Sequence, residues 1–128
     1  MCMGRNKATQ ICYNKIMANL ETFYLLSLGV QLVHSIEELS TGFHKKWYLF
    51  KMPFWIFLVF EIGFTAFWMV VLFSPAFPYR IFLQTLFLLL MFANGVQHLV
   101  WYGNTKKYVS GLLTAPLHVV TTSIYFLT

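Results

Sequence analysis

Four apolar stretches run through this sequence, and its basic residues are gathered between them: the N-terminus, Lys45 to Lys51, Arg80 and Lys106–Lys107. A soluble domain covers itself with charge, about a quarter of its residues. Here charged residues make up 10% and hydrophobic ones 59%. The chain therefore reads as an integral membrane protein with several spans. At 128 residues it holds one domain, with no room for a separate soluble catalytic unit.

The spans are expected at about 16–40, 53–73, 79–101 and 108–128. Ser40, Thr41 and Gly42 stop the first, and Pro53 opens the second. Ser74-Pro75-Ala76-Phe77-Pro78 turns the chain into the third, and Gly103-Asn104-Thr105-Lys106-Lys107 into the fourth. Trp47, Tyr48, Trp101, Tyr102 and Tyr108 fall at span ends, as interfacial aromatics do. Barrel strands would alternate apolar and polar residues, whereas Ile81 to Phe92 is apolar on every side. The expected fold is all-α: a four-helix transmembrane bundle with short loops, occupying residues 1–128 as one domain.

The start, Met1 to Lys15, is polar and basic and does not read as a cleaved signal peptide. The end, Thr128, falls inside apolar sequence and is compatible with a further C-terminal tail. Cys2 and Cys12 lie ten residues apart in the N-terminal segment, with no further Cys to build a zinc site or a disulfide framework, and say little about redox compartment. The formal charge of +5 is spread over membrane-flanking segments, so lipid phosphates rather than nucleic acid are the expected neighbours. With alternating spans, Arg5, Lys7, Lys15 and Arg80 lie on one side and Lys45, Lys46, Lys51, Lys106 and Lys107 on the other. That near balance does not fix orientation. A bacterial-type inner membrane is the expected location, and an oligomer is compatible with the sequence.

Polar residues inside the apolar stretches converge on the membrane half where the first span ends. His34, Glu37 and Glu38 lie in its last turns, Glu61 about two turns into the second span, Asn94 and His98 late in the third, and His118 about three turns into the fourth. Spacings of three and four residues put His34, Glu37 and Glu38 on one helix face, and the same holds for Asn94 with His98 and Thr114 with His118. Ionised groups in hydrocarbon need a partner, water or an ion. Imidazole and carboxylate suit a divalent metal, zinc or else iron or manganese, and facing helices of a bundle can present them inward.

Singly, each residue also has a structural explanation. Glu37 and Glu38 can reach outward to Lys45 or Lys46, Asn94 and His98 can bond helix to helix, Glu61 can pair with a Lys, and His118 can satisfy a carbonyl freed by Pro116. His44, in the basic loop, is expected to be solvated, and Gly63 and Gly95 to allow close helix contact. Coincidence at one depth favours the shared site. In it His34, Glu38, His98 and His118 are the expected metal ligands, and Glu37, Glu61 and Asn94 the expected catalytic groups.

The segment His34-Ser35-Ile36-Glu37-Glu38, then Asn94-Gly95-Val96-Gln97-His98, then Tyr108-Val109-Ser110-Gly111-Leu112-Leu113-Thr114-Ala115 resembles the motifs of the HXXEE family, small integral-membrane proteins. Ser110 stands where the family usually has Pro. The resemblance implies that His34, Glu37, Glu38, Asn94 and His98 are site residues. Glu61 and His118 rest on depth alone. The functional expectation is a membrane-embedded metal-dependent enzyme acting on a hydrophobic or lipid-like small molecule, a hydrolase or a di-metal oxidoreductase. The alternative is a small proton- or cation-coupled transporter that uses the same His/Glu cluster as a relay.

Overall fold

A computed structural model describes residues 7–128. Cys2 and Arg5 lie outside the described residues. The chain is all-α, with α1 Lys7–Thr41, the short α2 Phe43–Lys46, α3 Phe54–Leu72, α4 Arg80–Thr105 and α5 Ala115–Leu127. Three of these, α1, α3 and α4, are long and apolar enough to cross a membrane. Their outward faces carry exposed residues such as Leu25, Ile36, Trp55, Val59, Ile62, Val70 and Phe82, an apolar exterior that suits lipid and not water.

The second and third expected spans coincide with α3 and α4, although α4 continues to Thr105 before Lys106 turns left-handed. The first begins earlier than its hydropathy suggests. From Lys7 to Lys15 there is no Gly or Pro, so nothing local stops the helix where the apolar residues stop. At the other end Gly42, with φ 78°, supplies the left-handed residue that closes α1 and folds α2 back over the bundle. Phe43 then stacks on Phe57 at 5.1 Å.

The expected fourth span differs most. Of residues 108–128 only Ala115–Leu127 form a regular helix, 13 residues or about 20 Å, short of a bilayer core of about 30 Å. The preceding segment turns inward, with Gly111 at φ 87° and Val109 and Ser110 buried. Pro116 makes no kink. It lies in the first turn of α5, where its missing N–H leaves no bond unmade.

Apolar and polar layers divide the interior. Toward the N-terminal half of α1, Tyr24, Leu28, Trp68, Val71, Phe87 and Met91 form the hydrophobic core, and the Tyr24 hydroxyl donates to the Trp68 carbonyl at 2.6 Å. At the same end Arg80 donates to both carboxylate oxygens of Glu21, at 2.7 and 2.5 Å, and to the carbonyls of Val71 and Leu72. One side chain thus ties α1, α3 and α4 together. The opposite half holds the buried histidines and Glu38.

Helices α4 and α5 meet at Gly95, where an added Cβ would stand 2.6 Å from the Ala115 carbonyl oxygen and 2.9 Å from Val119 Cγ2. At Gly63 the same atom would meet nothing within 4 Å. Of the two glycines expected to permit close contact, only Gly95 does so. Gly95→Ala should therefore cost about 1–3 kcal/mol through overpacking. Gly63→Ala should be neutral, or stabilising by about 0.5–1 kcal/mol from the better helix former. Thermal unfolding in detergent checks the pair.

Candidate metal centre

The end of α1 builds the first half of the site. His34, Ser35 and Glu38 point inward and are buried, with His34 0% exposed. From α4 come Asn94 and His98, one turn apart. The segment before α5 closes over both histidines, and there glycine is required. A Cβ on Gly111 would lie 2.7 Å from Cε1 of His34 and 2.7 Å from Cε1 of His98.

Three ligand atoms meet, one each from His34, Glu38 and His98, all within 4.8 Å of one another. Glu38 Oε1 lies 3.2 Å from His34 Nε2 and 3.0 Å from His98 Nε2. Ligands at about 2.0–2.1 Å around a tetrahedral ion stand roughly 3.3 Å apart, and the two carboxylate–imidazole spacings match that value. Two imidazoles and one carboxylate are also a donor set that zinc takes in catalytic sites.

The hydrogen bonds around His34 assign its proton. Thr114 Oγ1 carries one hydrogen and sits 2.6 Å from Glu37 Oε2 and 2.5 Å from His34 Nδ1. Donating to the carboxylate, it accepts from Nδ1–H. The lone pair of His34 is then on Nε2, the atom that faces Glu38 and the Asn94 amide nitrogen at 3.1 Å. This is how outer partners usually fix a metal-ligating histidine. His98 Nε2, although near Glu38, makes no hydrogen bond of regular geometry. A lone pair and a carboxylate oxygen at such distance repel unless a cation or a proton lies between them.

His118 packs edge-on against His34, ring centroids 5.1 Å apart, fully buried and with no hydrogen bond to either ring nitrogen. It is outside the three-residue group and does not serve a carbonyl at Pro116. The adjacent glutamates separate sharply, because consecutive helix positions project about 100° apart. Glu38 faces the histidines. Glu37 faces the segment before α5 and accepts from the Tyr108 hydroxyl at 2.6 Å, the Leu113 and Thr114 amides at 2.9 and 3.0 Å, and the Thr114 hydroxyl. Burial first, then the Glu37 carboxylate, raise the Tyr108 hydroxyl above the ordinary phenol range, which keeps it a donor. Neither glutamate reaches Lys45 or Lys46.

Glu61, from α3, accepts a hydrogen bond from Ser35, whose oxygen in turn accepts from Gln31 at 3.1 Å. His44 is buried rather than solvated, at 7% exposure, with its ring against Phe54 and Phe57. The turn at Gly42 carries it back under the loop. Sequence reasoning did not find the roles of Thr114 and Ser35, or the Glu21–Arg80 pair. Thr114 had a signal in its position one turn before His118. Ser35 had none beyond its place beside His34.

A family model described as a protein of unknown function with HXXEE motif matches residues 25–126. That match takes in all three motif segments and every residue of the site. No curated protein and no solved structure matches the chain.

Proposed function

The chain belongs to the HXXEE family, whose function is unknown, and we propose that it is a membrane-embedded, metal-dependent hydrolase acting on a hydrophobic, lipid-like substrate. The observation that carries this reading is the buried meeting of His34 Nε2, Glu38 Oε1 and His98 Nε2 at a spacing suited to one cation. Zinc is preferred for the His/Glu donor set, with iron or manganese as the other candidates. When bound, such a cation would supply Lewis acidity toward an ester or amide carbonyl.

The protein's own groups do the rest. His34 and His98 would hold the ion from α1 and α4, and Glu38 would neutralise part of its charge. Glu61, buried on α3 and hydrogen-bonded by Ser35, would take a proton from an attacking water and pass it to the departing group. With the His34 Nε2 lone pair on the ion, the Asn94 amide, 3.1 Å from that nitrogen, would be released to donate to a substrate oxygen. Glu37 is a positioning residue: through Thr114 it sets the His34 tautomer, and through the two amides it holds the covering segment. Burial among aromatic side chains excludes bulk water and strengthens every charge interaction in the site. The apolar core of Tyr24, Leu28, Trp68 and Phe87 backs the cluster on one side, which favours an enzyme over a relay that must cross the membrane.

The test is hydrolysis of a long-chain ester in detergent micelles by protein loaded separately with zinc, iron and manganese. The expected result is turnover that chelation abolishes and that Glu61→Gln lowers by about 10²–10⁴-fold. Thr114→Val should weaken metal affinity about 10–100-fold while the chain stays folded. Turnover indifferent to chelation would overturn the reading.

A further inference from the structure

A cavity of about 480 Å³ lies beside the site, enclosed by α1, α3 and α4 together with the loop after α2. Glu38 and Asn94 form its wall on the metal side, so the cavity and the ligand group share Glu38. Most of the remaining lining is apolar, with Phe43, Phe57, Phe60, Phe64, Leu90 and Met91 along its length. It opens on the outside between α3 and α4, where the lining residues Ile56, Phe60 and Leu90 are 60%, 58% and 41% exposed, and beside the loop at Phe50, 56% exposed. The α3 and α4 side is apolar, as a bilayer-facing opening requires. From Ile56 to Phe64 it follows α3 for about 12 Å.

Size and charge narrow the occupant. At about 30 Å³ for each water-sized group, the volume takes roughly sixteen such groups, one hydrocarbon chain with a small head and not a two-chain phospholipid. No Lys or Arg lines the cavity, while Glu38, Glu61, Gln31, Asn94 and Gln97 do. An anionic head would meet no Lys or Arg, and the carboxylates of Glu38 and Glu61 already balance a divalent ion held at Glu38, whereas a neutral ester, amide or hydroxyl finds hydrogen-bond partners.

Resting on the reading of the site given above, we propose that this cavity admits from the bilayer the single chain of a neutral amphiphile. The tail lies against Phe57, Phe60, Phe64 and Met91, and the polar head stands at Glu38 and Asn94. The site's substrate class is then a neutral monoacyl lipid, entering sideways between α3 and α4.

The experiment is photolabelling in phosphatidylcholine nanodiscs with monodecanoylglycerol carrying a diazirine at the chain end. Lysophosphatidic acid and phosphatidylcholine bearing the same group are run in parallel, and metal content is measured on the same samples. The neutral probe should label lining residues of α3 and α4, saturate, and be displaced by unlabelled monodecanoylglycerol. The other two probes should label those residues at least about tenfold less. Leu90→Trp and Ile56→Trp, on opposite lips of the mouth and both lipid-exposed, should each cut labelling by a similar factor with metal content unchanged. Equal labelling by an anionic or two-chain probe, or labelling confined to outward residues such as Trp55 and Val59 without saturation, would overturn the proposal. Stoichiometric metal without saturable labelling removes the chain site alone. Saturable labelling of a chain that binds no metal removes the metal reading alone.

Discussion

Gly111→Ala is expected to dismantle the site from a position that bears no functional group. At φ 87° the backbone is left-handed, which costs a residue with a Cβ about 1–2 kcal/mol. The new methyl group would also lie 2.7 Å from Cε1 of both His34 and His98 and 3.0 Å from His98 Nδ1. Neither ring has room to retreat, since both are fully buried, so overpacking adds about 1–3 kcal/mol. A loss of about 2–5 kcal/mol and separation of the two imidazoles should follow, read as a lower unfolding temperature and lost metal. Gly29→Ala is the control, because a Cβ there meets nothing within 4 Å. Normal stability and metal content in Gly111→Ala would show that the segment does not press on the histidines as described.

The second large effect separates two neighbours in the motif. Glu38→Gln keeps the shape but removes the charge that both histidines face, and metal affinity should fall by more than the roughly 100-fold typical of an outer partner. Glu37→Gln should act elsewhere. It leaves all three ligand atoms in place and weakens the clamp on Leu113 and Thr114, costing about 1–3 kcal/mol of stability with a smaller loss of metal. Metal titration and thermal unfolding of the two variants, side by side, decide the matter. Equal effects on metal would contradict the division of roles.

How much of this was legible in the residues differs from element to element. Hydropathy located α3 and α4 within a few residues, because a long apolar run in a bilayer has to be helical. It misplaced the start of α1, since hydropathy reports the solvent around a helix and not the local chain geometry that ends it. The fourth stretch shows the same limit more severely. Val109, Leu112 and Leu113 are as apolar as a span requires, yet the chain there is not a regular helix. The Glu37 carboxylate satisfies backbone amides that a helix would otherwise have paired, and that tertiary bond has no trace in a hydropathy window.

For the site, depth along each helix was readable from spacing, and it brought His34, Glu38, Asn94 and His98 into one layer. Direction was not readable. Which of Glu37 and Glu38 faces inward depends on the rotation of α1, and that is set by packing against α4 and the segment before α5. His44 shows a related failure: its neighbours in sequence are basic and exposed, but the turn at Gly42 tucks its ring between Phe54 and Phe57. The Glu21–Arg80 pair, at the opposite end of the bundle, is a reminder that an acid in an apolar stretch can be a structural tie.

Elemental analysis of detergent-purified protein tests the central claim most directly, with His34→Ala, His98→Ala and Glu21→Gln measured alongside. The account predicts about one equivalent of zinc, iron or manganese in the native chain, lost in both histidine variants and kept in Glu21→Gln. Absence of stoichiometric metal after reconstitution under reducing conditions, or metal retained when either histidine is removed, would contradict it.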